Sequence, residues 1–146
     1  MSTARQPPLE DKTLSGPYRL PPGSESDITA AAHALGWPLI SYRPESATDA
    51  RTWLAGLGQA LGFPEHFGAN FDALYDCLTD PGVLNSQGQV LILGNLSPLG
   101  DEVDILIAVL QAASDEWRDQ DRALWALLDA PRLDLDPLPR GLKHAL

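Results

Sequence analysis

The chain has 146 residues, 44% of them hydrophobic, and a formal net charge of −10. Length and apolar content suit one globular domain with extra length at its ends. The charge argues against gripping nucleic acid, which needs a basic face for the phosphates, and leaves either solubility alone or a positively charged partner.

Residues 1–25 carry Pro7, Pro8, Pro17, Pro21 and Pro22 with Gly16 and Gly23. They read as a loose N-terminal extension, in which Tyr18 to Leu20 has the makings of a short edge strand. Asp27 is placed to cap a short helix through Ile28, Ala31, Ala32 and Leu35, ended by Gly36. Trp37 to Tyr42, WPLISY, reads as a first strand. Ser46 or Thr48 can cap a helix whose apolar residues, Ala50, Trp53, Leu54, Leu57 and Leu61, share one face. Gly62 stops it and Pro64 prevents its continuation. After a turn at Gly68, where glycine is expected to supply a backbone conformation other residues resist, Asn70 caps a helix from Phe71 to Thr79, and Pro81-Gly82 breaks it.

Gln89 to Gly94, QVLILG, is nearly continuously apolar, as suits a strand covered on both faces of a parallel sheet. A long helix follows from Asp101 to Asp119, with Val103, Ile107, Leu110 and Trp117 as buried candidates, and then a second apolar strand, Ala123 to Leu128. Residues 131–146, with Pro137 and Pro139, read as an irregular tail. Apolar strands alternating with helices predict an α/β domain over residues 26–130, with a three-stranded parallel sheet and helices mostly on one side.

The acidity is segregated. Between Thr52 and Trp117 there is no Lys or Arg and nine acidic residues, whereas the rest of the chain has 11 acidic and 10 basic residues. Even spreading would have served solubility equally well, so the segregation points to an acidic binding face. Cys77 stands alone, which excludes an internal disulfide and a thiolate metal cluster. Residues 1–22 hold no apolar core of signal-peptide length, and no apolar run is long enough for a bilayer. The expectation is a cytoplasmic protein with no membrane partner.

The segment Gly62 to Asp80, GFPEHFGANFDALYDCLTD, carries the most information. On a helix, Phe71, Leu74 and Leu78 make one face; Asp72, Tyr75, Asp76 and Thr79, at i, i+3, i+4 and i+7, make the other. Two aspartates four apart repel by a few tenths of a kcal/mol, roughly. The helix dipole offsets this for Asp72 in the first turn but not for Asp76. Such a face can be a solvated surface, but with a Tyr and no local Lys or Arg it is also set up for an incoming cation. The loop before it, with Pro64, Glu65, His66 and Phe67, adds aromatic and charged groups of the kind found at interface centres, although Phe67 reads better as a plug under the loop.

The run Pro64 to Asp80 resembles the signature of the barstar family, intracellular inhibitors of barnase-type ribonucleases. The matching positions are Pro64, Glu65, Gly68, Asn70, Asp72, Ala73, Leu74, Asp76, Cys77, Leu78 and Thr79. The order of elements from Trp37 to Asp129 agrees, while the N-terminal extension and the tail have no counterpart in the small prototype. The resemblance implies a three-stranded parallel sheet with helices packed against it, no enzymatic activity and no cofactor or metal. It implies a bacterial, antitoxin-like inhibitor, monomeric when free, that blocks a basic, extracellular-type ribonuclease. The partner-binding residues carried over are His66, Gly68, Asn70, Asp72, Tyr75, Asp76 and Thr79, with Asp76 as the central carboxylate in place of the RNA phosphate. A further acidic contact from the late helix falls to Asp115 or Glu116. His66, Ala69 and Pro81-Gly82-Val83 depart from the family pattern and alter the rim, so a basic protein that is not a ribonuclease is the alternative partner.

Other chemistries fit less well. Asp72 and Asp76 as an acid–base pair lack any sign of a substrate cleft, and His66, Asp72 and Asp76 match no metal-ligand spacing. There is no P-loop, no dinucleotide fingerprint and no nucleophile elbow.

Overall fold

The computed structural model describes residues 7–130 and 133–139. They form a parallel sheet of β1 (Pro17–Arg19), β2 (Leu39–Tyr42), β3 (Gly88–Gly94) and β4 (Ala123–Asp129), in the order β1-β4-β3-β2. The α-helices are α1 (Glu25–Leu35), α2 (Ala50–Leu61), α3 (Phe71–Leu78) and α4 (Val103–Asp119). Asp49 caps α2 in place of Ser46 or Thr48, because its carboxylate accepts from Thr52 N while Thr52 Oγ1 accepts from Asp49 N. The expected start of α4 at Asp101 is instead a 3-10 segment, Ser97–Glu102, kinked at Gly100.

Side chains alternate across β3 and β4 and build two cores. Leu91, Leu93, Leu124, Ala126 and Leu128 meet the buried faces of α2, α3 and α4. Val90, Ile92, Ala123, Trp125 and Leu127 meet Ile28 and Ala32 of α1, together with Leu9 and Leu20. Both central strands are apolar on both faces because both faces are covered.

The sheet has four strands, which corrects the expectation of three. The fourth is the short edge strand offered at Tyr18 to Leu20, shifted to Pro17–Arg19 and left out of the count because three residues carry little periodicity; it begins on Pro17, tolerated there because a strand's first residue at a sheet edge can lack its N–H. It pairs with β4 from Pro17↔Ala126 to Arg19↔Leu128, and Leu20 N donates to Leu128 O at 2.8 Å. Residues 7–16, also expected to be loose, pack on the sheet. Leu9 is fully buried, its carbonyl accepts from Trp125 Nε1 at 3.1 Å, and the Tyr18 ring lies 5.8 Å from that of Trp125. From the expected tail, Pro137 bridges to Arg19 and Leu138 joins the same core. Residues 1–6 of the expected extension and residues 131–132 and 140–146 of the expected tail lie outside the described residues.

Leu9→Ala is expected to destabilise the protein by about 2–5 kcal/mol, the cost of a buried leucine deletion. Denaturant unfolding measures it; a change below about 0.5 kcal/mol would mean that this segment is loose in solution.

Candidate functional site

The loop between α2 and α3 is held by its aromatic residues. Gly62 ends α2 in the left-handed conformation, at φ 74°. Phe63 and Phe67 then meet edge to face, 5.1 Å between ring centroids. Phe67 lies so close to Gly58 of α2 that a Cβ there would sit 2.6 Å from the ring. Phe67 is thus a packing residue, half-buried, while His66 beside it is exposed.

At the turn before α3 the left-handed residue is Ala69, at φ 53°, and not Gly68 as expected from the sequence. A non-glycine is uncommon there; Ala69 is held by burial of its methyl group in the core. Gly68 provides room instead, since a Cβ on it would lie 3.2 Å from the Asn70 side-chain nitrogen. Asn70 Oδ1 in turn accepts from Ala73 N at 2.7 Å and starts α3.

On α3, Leu74 and Leu78 are fully buried and Asp72 and Asp76 are exposed. Thr79 is half-buried, and its hydroxyl donates to Tyr75 O at 2.8 Å, ending the helix. Burial, with Asp80 and Asp76 nearby, pushes the Cys77 thiol up from its ordinary pKa, so it stays protonated at neutral pH. Trp117 Nε1 donates to Leu78 O at 2.8 Å and fixes the end of α3 to α4.

Several of the described cations are occupied elsewhere, while Arg51 of α2, the nearest in sequence, is exposed and forms no ion pair among the described residues. Arg43 pairs with Glu25 and Asp129, Arg118 with Asp115, and Lys12 with Asp121. Arg122 is buried, donating to Leu84 O and Ser86 O and lying 3.8 Å over the Trp117 ring; burial lowers its pKa. Among the described residues, no ion pair involves Asp72 or Asp76.

Beside these carboxylates a groove of about 480 Å³ runs between α3 and α4. Phe71 and Tyr75 form one wall, with Asp72 and Asp76 on its rim. Ile105, Ala108, Val109 and Ala112 of α4 form the other side. Helical spacing continues Val109 and Ala112 to Glu116, whose carboxylate accepts from Gln120. Asp115, at i+3 from Ala112 and i+7 from Ala108, is tied to Arg118, which also donates to Ser15 O. The structure thus brings His66, Gly68, Asn70, Asp72, Tyr75, Asp76 and Thr79 onto α3 and its loop, and separates the environments of Asp115 and Glu116. From the sequence, Val103, Ile107, Leu110 and Trp117 are the buried candidates of α4, and no role falls to Ile105, Ala108, Val109 or Ala112. The signal for this side of the groove is that Ile105 falls opposite the stripe of Leu106, Leu110 and Trp117.

A comparison with curated proteins finds no match for the chain. The family model described as Barstar (barnase inhibitor) matches residues 38–129, which run from β2 through β4, include the whole α3 face and leave out β1 and α1. With more than half of its length matched, the chain belongs to the Barstar (barnase inhibitor) family.

Proposed function

We propose that this protein is a non-enzymatic, cytoplasmic inhibitor, monomeric when free, that blocks the active site of a basic, barnase-like ribonuclease with α3 and the loop before it. The observation that carries the reading is the pair Asp72 and Asp76. Both are exposed on a helix anchored at both ends, and neither has a cationic partner among the described residues. A ribonuclease must present cations to a phosphate. A carboxylate on a rigid helix occupies that cluster and offers no bond to cleave. In this reading Asp76 takes the phosphate position, Asp72 and Glu116 add acidic contacts, and His66 and Tyr75 close the rim. Charge complementarity speeds encounter and selects the partner.

Titration of barnase-like ribonucleases with the purified protein is expected to abolish their activity at one-to-one stoichiometry, the protein itself showing no hydrolysis of RNA. No inhibition at micromolar concentrations would instead favour a basic partner that is not a ribonuclease, the direction in which the altered rim at His66, Ala69 and Pro81-Gly82-Val83 points.

The association rate is expected to fall steeply from low to physiological ionic strength, as salt screens the attraction of the acidic segment for a basic partner. Stopped-flow measurement checks this; a constant rate removes electrostatic steering from the mechanism.

Asp76→Ala is expected to weaken binding by at least about 2 kcal/mol and leave folding intact, because the side chain is exposed and its loss relieves repulsion with Asp72. Leu74→Ala is expected to cost about 2–5 kcal/mol of stability, as the deletion of a fully buried side chain. Calorimetric titration and denaturant unfolding of both variants separate the binding face of α3 from its packing face. Wild-type affinity in Asp76→Ala would refute the site.

A further inference from the structure

We propose that the groove between α3 and α4 seats an apolar side chain that the basic partner presents next to an arginine or lysine. The proposal rests on the reading that a basic protein docks on the α3 face, and it extends that face onto α4.

A surface helix ordinarily turns polar residues to solvent opposite its buried stripe. The buried stripe of α4 is Leu106, Leu110, Ala113 and Trp117. Opposite it stand Ile105, Ala108 and Ala112, at i, i+3 and i+7, all exposed. Ile105 is 47% exposed, more than any other large hydrophobic residue among those described. The alanines leave the space and Ile105 bounds it, facing the half-buried rings of Phe71 and Tyr75. The resulting space, about 480 Å³, is a shallow groove open to solvent, which suits a side chain laid into it from a docked protein and not an enclosed small molecule.

Charge complementarity selects the occupant. Asp72 and Asp76 line the rim and have no cation among the described residues. A purely apolar ligand would strip water from two carboxylates and return nothing to them. A purely cationic ligand would leave the floor of the groove wet. A second copy of this chain, at −10, would bring like charge to the rim. An apolar side chain beside a guanidinium or ammonium group satisfies both surfaces together.

The test uses the full chain, isotope-labelled, with blocked dipeptides followed by backbone amide shifts. N-acetyl-leucyl-arginine amide is expected to shift Tyr75, Ile105, Ala108 and Ala112 saturably. It should bind at least about threefold tighter than N-acetyl-arginine amide, reflecting partial burial of the leucine. N-acetyl-leucyl-glutamate amide is expected to cause no saturable shift. Ala108→Gln, which puts a long polar side chain of good helix propensity on the groove floor, is expected to erase the threefold preference and leave the rest of the spectrum unchanged. Equal binding of the two arginyl ligands, shifts confined to Asp72 and Asp76, no saturable shift at all, or an undiminished preference in Ala108→Gln would each overturn the proposal. Titration against barnase-like ribonucleases is read separately. Inhibition without dipeptide preference removes the groove alone, and dipeptide preference without inhibition removes the ribonuclease alone.

Discussion

The indole of Trp117 is fully buried, and three parts of the molecule meet on it. Its Nε1 donates to the carbonyl of Leu78, the last residue of α3. Its ring carries the guanidinium of Arg122, which enters β4 and also donates to Leu84 O and Ser86 O in the segment after α3. The last carbonyls of a helix have no partner within it, and a helix of eight residues has few internal bonds to lose. Trp117 and the Thr79 hydroxyl satisfy that end of α3, and the Asn70 cap satisfies the other. The acidic face is therefore held before any partner arrives, so binding need not order it.

Holding it there has a modest cost. Asp72 and Asp76 repel by a few tenths of a kcal/mol, whereas burial of Leu74 or Leu78 contributes about 1.5–3 kcal/mol each. Packing on the inner face therefore wins, and the outer face is free to carry uncompensated charge. Three of the described cations act elsewhere. Arg43 joins Glu25 and Asp129 near the C-terminal ends of β2 and β4, and Arg118 joins Asp115 to the residues before β1. Arg122 works as a buried hydrogen-bond donor to two backbone carbonyls.

The segment ahead of the family-matched region completes the other side of the sheet. Val90, Ile92, Trp125 and Leu127 would face water if α1 and Leu9 did not cover them. β1 shields the outer edge of β4, and Pro137 and Leu138 in turn lie against Arg19 of β1. This layer lies on the face of the sheet opposite α2, α3 and α4.

Helix and strand identities were legible where a strong local rule acted. The apolar runs around Leu91 and Leu127 marked the central strands, the glycine at 62 marked the end of α2, and the asparagine at 70 marked the start of α3. The two faces of α3 were legible for the same reason, since helical spacing alone opposes Leu74 to Asp72 and Asp76. Sequence offered a short edge strand at Tyr18 to Leu20 but could not add it to the sheet, because three residues starting on proline carry no periodicity and pair only once β4 is in place. Nor could it choose Ala69 over Gly68 for the left-handed position: burial of the alanine methyl, a tertiary contact, overrides local preference. Asp115 and Glu116 are adjacent acids in sequence. Asp115 pairs with Arg118 one turn on, and the tertiary contact is the one Arg118 makes to the Ser15 carbonyl ahead of β1, while Glu116 accepts from Gln120. Local chemistry thus determined the elements and their acidic face, and contacts between residues far apart in sequence decided what that face stands beside.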